Sequence, residues 1–473
     1  MRIIIALLLI ATQHAAAQGL VKLSGTITAP LSDSVTITYN DSRLAWFPKE
    51  YYAPVDAQGR FAFSFPLPAG SYVQAEIRHG NRLAELLLHA GDSLAMTVNT
   101  AHYDSSIHYE GRGAEIQNFV ARHTIERGRM NQYTQKMKAA MNNTPANFLS
   151  AAAKEKAAET AFLDRSKNRL PAPFVTYWSA YYQYYTWFFM QQYPQMSEIF
   201  KKRRYTDTIP LANYSVVKEI PYAFNDEYLQ VPSYLLYLTG IFDAKLRAAG
   251  LNVPAADTAG VRKLQDSVVA LAFEKMSSQS AEYFIAQDLY GRAKYQPLAR
   301  TRRIFSKFKK RWPVSEYMPL IDKQVALAEH LAPGQPAPDF DIVLADKTVM
   351  KLSDLKGKVV YLGFWATDCR QCVGEMITER KTKEILGNKP VAFVYVQMDD
   401  DTARASMLIG KYKMTGLFTR AVGSWSSTEA QLYGITGMPA YFLIDTEGKI
   451  AIQNPPTPMQ SMELMIAISK LVP

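Results

Sequence analysis

The feature that most constrains this chain is its cysteine content. Its 473 residues hold two cysteines, Cys369 and Cys372, with two residues between them. A scaffold held together by several disulfides needs more cysteines, and so does a zinc site built from four thiolates. A chain of this length has room for about two to four domains with hydrophobic cores of their own. Its hydrophobic fraction of 48% excludes a largely disordered protein.

The N-terminal residues are typical of a secretory signal peptide, which we assign to residues 1–17. Arg2 precedes an apolar run from Ile3 to Ala11, and small residues at 15–17 close the segment. A membrane-spanning helix needs about 20 apolar residues, so the run is too short to be one; a buried first strand is the alternative. No cysteine lies directly after the cleavage region, and no later stretch approaches 18 unbroken apolar residues. We therefore expect a soluble periplasmic protein with no lipid anchor and no transmembrane segment.

Residues 18–108 alternate apolar and polar side chains with the period of a β-strand. Segments 21–28, 34–39 and 60–65 each place apolar residues on one face, and turn-forming clusters separate such segments. Short strands at this spacing predict an antiparallel β-sandwich. No pattern in this part of the chain indicates catalysis.

Residues 109–332 are predicted to form an all-α domain. Alanine and lysine dominate residues 151–167, and aromatic side chains crowd residues 174–193. An aromatic helix of this kind could line a ligand groove. Packing against neighbouring helices is commoner, and we interpret the aromatic segment as core.

The net charge of +10 resides in the helical region. Residues 111–330 contain 31 basic and 19 acidic side chains, whereas residues 1–110 carry a net charge of −2 and residues 331–473 a net charge of zero. The basic runs 201–204 and 300–311 are of a kind that can bind nucleic acid, but export argues against that partner. A solvated helix face is the preferred interpretation. A weak contact with an anionic membrane surface or an acidic protein partner is the alternative.

Three prolines between Leu331 and Pro338 indicate a linker and the start of a further domain at residues 333–473. Beyond them, apolar strands alternate with helices, which predicts an α/β domain whose central strands are buried on both faces. The predicted elements are strands at 359–365 and 391–396, helices at 372–386, 402–413 and 428–433, a hairpin at 440–451 and a closing helix at 458–471.

Cys369 and Cys372 lie where a predicted buried strand gives way to a helix. Free N–H groups and the macrodipole at a helix N-terminus favour a thiolate at Cys369, and Cys372 is close enough to close a disulfide. A zinc site or a cysteine protease would need further ligands or a histidine nearby, and all seven histidines lie at or before His330. A disulfide across four residues stabilises a fold only slightly. Redox chemistry without a metal or cofactor is therefore the preferred interpretation.

The stretch FWATDCRQCVGEM, from Phe364 to Met376, resembles the active-site stretch of thioredoxin-like proteins of the TlpA/ResA type. Those proteins are exported thiol–disulfide oxidoreductases. The lead-in GQPAPDF at residues 334–340 is similar to the family's G-x-x-A-P-D-F opening, and Gly437-Met438-Pro439 matches the position of the family's cis-proline. The resemblance covers residues 333–473. The order of a β domain, a helical insert and this domain resembles large secreted proteins of Bacteroidetes.

The resemblance implies a thioredoxin-like fold and a role for each matching residue. Cys369 would be the attacking thiolate, and Cys372 would resolve the mixed disulfide with the client. Glu375 would lie partly buried beneath the pair and tune or relay its protons, a plain solvated glutamate being the alternative. Pro439 would be cis and would expose the backbone of Met438 to an extended client segment.

The positions next to the cysteines depart from the family pattern. An aromatic residue usually precedes the first cysteine, and Asp368 stands there; the usual proline is missing from Arg370-Gln371. A carboxylate at Asp368 raises the pKa of the neighbouring thiol, whereas Arg370 lowers it. The direction of electron transfer is therefore not implied by the resemblance. Trp365 is expected to pack under the active-site loop, either in contact with the client or as plain core.

These observations predict a periplasmic thiol–disulfide oxidoreductase that reduces disulfides in client proteins and draws electrons from an upstream thiol donor. The alternative is a non-enzymatic binding protein that uses the thioredoxin-like domain as a platform, since so much of the chain precedes that domain. A thiol peroxidase is a narrower alternative. It needs a threonine three residues before the attacking cysteine, but Ala366 stands there and Thr367 lies only two residues before.

Overall fold

The structure, a computed structural model, describes residues 18–40, 49–68, 70, 72–200, 209–251, 253, 258–293 and 298–472. The predicted signal peptide and the basic run 201–204 lie outside these residues. The chain separates into two compact units, one ending at Phe284 and the other beginning at Ile285. Within the described ranges, no helix combines the length and the apolar character needed to cross a membrane.

The first unit begins with eight strands in two four-stranded sheets. They are β1 (Gln18–Thr28), β2 (Ser34–Tyr39), β3 (Lys49–Pro54), β4 (Arg60–Pro68), β5 (Tyr72–His79), β6 (Arg82–His89), β7 (Ser93–Asn99) and β8 (His108–Arg112). The strand orders are β4-β1-β7-β8 and β3-β2-β5-β6.

The two sheets share one hydrophobic core, which confirms the predicted sandwich. Buried and exposed residues alternate along β4, as the apolar pattern requires. Phe65 on β4 stacks on Tyr39 and Tyr51 of the other sheet, with ring centroids 5.4 Å and 5.0 Å apart. One pairing differs from the antiparallel prediction, because β1 and β7 run parallel. Alternation defines which face of a strand is buried but leaves the direction of its partner open.

Eleven helices follow or interrupt these strands in the described residues. They are α1 (Tyr103–Ser106), α2 (Ala114–Arg127), α3 (Met130–Ala140), α4 (Pro145–Asp164), α5 (Ala172–Phe200), α6 (Ser215–Lys218), α7 (Pro232–Ala248), α8 (Thr258–Lys275), α9 (Ser278–Arg292), α10 (Leu298–Arg311) and α11 (Met318–His330). This confirms the helical middle region.

The aromatic segment forms α5, and most of its rings are buried. Trp178 packs edge-on against Phe119 of α2 with ring centroids 5.0 Å apart, and Tyr182 packs against Tyr133 of α3 at the same distance. Trp178 and Tyr182 are each at most 3% exposed. The aromatic run is therefore helix–helix core, as its spacing predicted.

The C-terminal part of the second unit is built on a five-stranded sheet of order β13-β12-β11-β14-β15. Its strands and helices are β9 (Asp341–Val343), β10 (Val349–Lys351), β11 (Val359–Trp365), α12 (Arg370–Leu386), β12 (Val391–Gln397), α13 (Thr402–Tyr412), β13 (Leu417–Arg420), α14 (Thr428–Leu432), β14 (Ala440–Ile444), β15 (Ile450–Gln453) and α15 (Ser461–Ser469). The strands β9 and β10 form a separate hairpin.

The central strand β11 is buried at all seven positions, which explains its uninterrupted apolar sequence. It pairs in parallel with β12 and antiparallel with β14. Hydrophobic clusters cover both faces of the sheet, one around Leu362 and Phe364 and the other around Tyr361 and Cys372. The predicted α/β domain is therefore confirmed, with α12 starting two residues earlier than its predicted start at Cys372.

The proline-rich segment before this domain is attached to the sheet rather than a free linker. The amide of Gly334 donates to the carbonyl of Ile450 at 2.7 Å, and the amide of Ala337 donates to the carbonyl of Gly448 at 2.9 Å. The segment therefore runs alongside the start of β15 and becomes part of the domain.

Candidate active site

The two cysteines form a disulfide at the junction of β11 and α12. Cys369 is the N-cap residue of α12, and its Sγ accepts a hydrogen bond from the backbone amide of Cys372 at 3.1 Å. The two Cα atoms are 5.2 Å apart. The sulfur of Cys369 thus takes the place of the side-chain oxygen that commonly caps a helix, where the macrodipole stabilises negative charge.

The two sulfurs differ in access to solvent. Cys369 is half-buried, whereas Cys372 has no exposed surface. Asp368 and Arg370, on either side of Cys369, are both exposed. An external disulfide can therefore approach Cys369 beside these two charges, while Cys372 is reachable only from within the protein.

A carboxylate from the neighbouring strand holds the loop that leads to Cys369. The side chain of Asp399 accepts hydrogen bonds from the backbone amide of Thr367 and from Gln397 Nε2, the latter at 2.9 Å. The amide of Cys369 donates to the carbonyl of Ala366 at 3.2 Å. Our reading of the sequence missed Asp399. Parallel strands β11 and β12 end at the same edge of the sheet, and that placement could have indicated it.

Glu375 is 1% exposed, so the solvated alternative does not describe it. Gln371 Nε2 donates to one carboxylate oxygen at 3.3 Å, and the other oxygen, Oε2, is buried without a hydrogen-bond partner in the described part of the chain. A buried polar atom without a hydrogen-bond partner is energetically costly, which makes this oxygen a candidate for a functional role. The role of Glu375 beside the cysteines stays a prediction.

A second buried carboxyl group, Glu379, lies one turn beyond Glu375 and was also missed. It accepts a hydrogen bond from the hydroxyl of Tyr395, and Lys383 Nζ lies 3.3 Å from the same oxygen. Burial raises the pKa of Glu379 to about 7, against the lowering effect of Lys383. The i,i+4 spacing from Glu375 could have placed both carboxyl groups on one helix face.

The Met438–Pro439 peptide bond is cis, as the resemblance implied. Pairing of Ala440 with Phe364 brings Pro439 to the end of β11, at the edge of the sheet that carries the disulfide. Trp365 is 2% exposed and packs in the same hydrophobic cluster as Cys372, with Met438 and Cys369 against its border. Contacts of Met438, Pro439 and Trp365 with a client stay predictions.

Over the ranges that the structure describes, no group of three or more histidine, cysteine, aspartate or glutamate side chains is arranged to hold a metal ion. The half-buried, disulfide-bonded Cys369 is suited to exchange with an external thiol or disulfide.

Comparison with known proteins places the similarity in the same part of the chain. Residues 332–461 match the Redoxin family. Thiol-disulfide oxidoreductase ResA of Bacillus thuringiensis (strain Al Hakam) is 29% identical over 125 residues, which are 26% of this chain and 70% of that protein. ResA of Bacillus subtilis (strain 168) is 28% identical over 122 residues, which are 26% of this chain and 66% of the relative.

Solved structures align to a similar share of the chain. The thioredoxin domain of a thiol-disulfide oxidoreductase from Bacteroides vulgatus is 25% identical, with a TM-score of 0.28, and covers 30% of this chain and 99% of its own. A thiol:disulfide interchange protein from Bacteroides sp. is 26% identical, with a TM-score of 0.27, and covers 30% of this chain and 91% of its own.

Proposed function

Because residues 332–461 form a Redoxin domain of the TlpA/ResA-like thioredoxin family, we propose that this protein is a periplasmic thiol–disulfide oxidoreductase that reduces disulfides in client proteins. One observation carries the proposal. The half-buried Cys369 at a helix N-terminus is bonded to a fully buried Cys372. This asymmetry fits an attacking and a resolving thiol.

The reaction proceeds in two exchanges. In the reduced protein, the thiolate of Cys369 attacks one sulfur of the client disulfide; a bond forms between the two sulfurs, and the client's second sulfur leaves as a thiolate. Cys372 then loses its proton and attacks Cys369, which closes the protein's own disulfide and releases the other client thiolate. The client gains two electrons, and an upstream dithiol donor must return two electrons to the cysteine pair.

Glu375 is the proposed acceptor of the proton that Cys372 gives up. Cys372 is sealed from solvent, so the proton needs a group inside the protein. Glu375 lies three residues further on the same helix, with one oxygen free of hydrogen bonds in the described chain.

We expect Glu375→Gln to slow the second exchange by about 100-fold, the lower end of what general base catalysis contributes, while the first exchange keeps its rate. Rapid-quench measurement of the mixed disulfide separates the two steps. Glu384→Gln is the matched control, because Glu384 lies on the same helix but is 62% exposed and paired with Arg380. Equal resolution rates in the two variants would rule out this role for Glu375.

The cellular location of the protein and the role of its first two domains belong to the proposal as well. The N-terminal pattern at residues 1–17 supports export to the periplasm. The predicted domains 18–108 and 109–332 are proposed to guide the choice of client, either through a weak contact of the basic helical region with an acidic partner or through an anionic membrane surface.

The test is the equilibrium of the cysteine pair with redox buffers, combined with a disulfide-reduction assay on insulin. A reductase is expected to have a potential near that of thioredoxin, about −270 mV, and to accelerate insulin reduction by dithiothreitol. A potential near about −120 mV would reverse the proposed direction and indicate an oxidase. Absence of any exchange with insulin or with periplasmic proteins would contradict the enzymatic proposal.

A further inference from the structure

One face of α12 carries polar side chains into the interior of the domain. Cys372, Glu375, Glu379 and Thr382 follow one another at intervals of three or four residues, and each is at most 1% exposed. Residues at these intervals are neighbours on a helix surface. The four therefore form a continuous buried row that begins at the disulfide, and the proposed reaction uses only its first half.

The second half of the row is built around Glu379. Lys383, whose side chain is 18% exposed, forms an ion pair with Glu379 and donates to the carbonyl of Thr415. Its ammonium group also lies over the rings of Phe393 and Tyr395, at 4.4 Å and 5.1 Å from their centroids. Lys383 lines an open cavity of about 340 Å³. The row thus leads from the sealed Cys372 to a cation with access to solvent.

The charges of this row affect the pKa values of tyrosines in the sheet beneath α12. Tyr361 on β11 and Tyr441 on β14 both have a pKa raised first by burial, and the negative charges of Glu375 and Glu379 raise each of them further. Tyr395 on β12 donates to Glu379. Helix α15, which also packs on α12, contributes apolar side chains to the surrounding cluster. Lys383 is the one cation among these neighbours of Glu379.

We propose that Glu379 is a positioning residue of the redox centre, whose carboxyl group takes up a proton when the Cys369–Cys372 disulfide is reduced and releases it on oxidation, acting on the cysteines through Glu375. This inference rests on the proposed function, since it requires a cysteine pair that cycles between disulfide and dithiol. Glu379 touches neither sulfur in the structure's hydrogen-bond pattern, so its effect is electrostatic.

The balance of protons and electrons explains why reduction of the disulfide is coupled to protonation of Glu379. A donor dithiol gives two electrons, the sulfur–sulfur bond breaks, Cys372 takes up one proton, and Cys369 remains a thiolate. The new negative charge lies at the start of the buried row, where a second charge at Glu379 becomes less favourable. Glu379 therefore binds a proton more tightly in the reduced protein. Burial already raises the pKa of this group to about 7, so the exchange falls in the neutral range.

The experiment measures the rate at which iodoacetamide alkylates Cys369 in the reduced full-length protein between pH 5.5 and 9. The wild type is expected to show the titration of Cys369 and a further inflection above pH 7, because the Cys369 thiolate raises the pKa of Glu379 beyond the value of about 7 that it has beside the disulfide. In Glu379→Gln this inflection disappears, and the pKa of the Cys369 thiol falls by about one unit, a roughly tenfold larger thiolate fraction below that pKa. The exposed-site control Glu384→Gln keeps the wild-type profile.

A second variant separates electrostatics from a structural effect. Lys383→Gln removes the cation that stabilises the ionised Glu379, so the inflection is expected to move to higher pH. A merely structural role would lower the thermal stability of both variants without moving the inflection. Profiles of Glu379→Gln and wild type that superimpose, or an inflection in Lys383→Gln that stays or moves to lower pH, would overturn the proposal.

The readout also distinguishes this proposal from the proposed function. Alkylation uses chemically reduced protein and a small reagent, and no client takes part. A protein that fails to reduce insulin but shows the inflection contradicts only the client reaction. An active reductase whose inflection survives Glu379→Gln contradicts only the role of Glu379.

Discussion

Replacing Cys372 with serine is expected to abolish turnover and to leave client proteins covalently attached to Cys369. The serine hydroxyl cannot displace the client thiolate, so the mixed disulfide formed in the first exchange has no internal route to resolution. The hydrogen bond that caps α12 runs from the backbone amide of residue 372 to Cys369 Sγ, and the substitution keeps that amide. The variant should show adducts on non-reducing gels of periplasmic extracts, and dithiothreitol should release them.

The matched control is Cys369→Ser, which retains Cys372 with no exposed surface. We expect this variant to form no adducts, because a sealed thiol cannot reach a client disulfide. Adducts of equal yield in both variants would contradict the assignment of Cys369 as the attacking thiol. A double serine variant that retained full cellular function would instead favour the alternative of a non-enzymatic binding platform.

The place of the two cysteines in the fold was predictable because its signals are local in the sequence. A continuous apolar run predicted β11 with the bounds that the structure has, and the position of the cysteines at its end placed them at a helix N-terminus. Glu379 was harder to see. It lies among charged residues in the segment TERKTKE, a pattern that normally indicates a solvated helix face. Its burial depends on the tyrosines of the sheet beneath.

Features that depend on distant pairing escaped the sequence reading. The edge strand β13 has four residues, of which only Thr419 is fully buried, so no apolar run marks it. The parallel pairing of β1 with β7 joins segments about 70 residues apart, and neither segment encodes the direction of its partner. The ion pairs inside the helical region also depend on distant residues, and charge counts alone favoured a solvated helix face there.

The second large effect that we expect is a loss of stability when a buried ion-pair network in the helical region is broken. Glu159 on α4 is 3% exposed, and its two oxygens contact different residues of α2. Oε2 lies 2.8 Å from His123 Nε2, and Oε1 accepts from Arg127 Nε at 3.0 Å. The network ties α4 to α2, and removing one member leaves a charge inside the protein without its partner.

Glu159→Gln is therefore expected to lower the free energy of unfolding of the first unit by about 3 kcal/mol. This is the lower end for a broken buried pair, since Arg127 keeps a second partner in Glu155 at 2.8 Å.

The control Glu126→Gln breaks the exposed Arg165–Glu126 pair and should lower the free energy of unfolding by less than about 1 kcal/mol. Amide hydrogen exchange in peptides from α2 and α4 measures the difference locally, because protection reports the opening free energy of each segment. Equal protection in both variants would show that the carboxylate of Glu159 contributes no more than a surface pair. A selective loss in α2 and α4 would identify the network as the link that holds these two helices together.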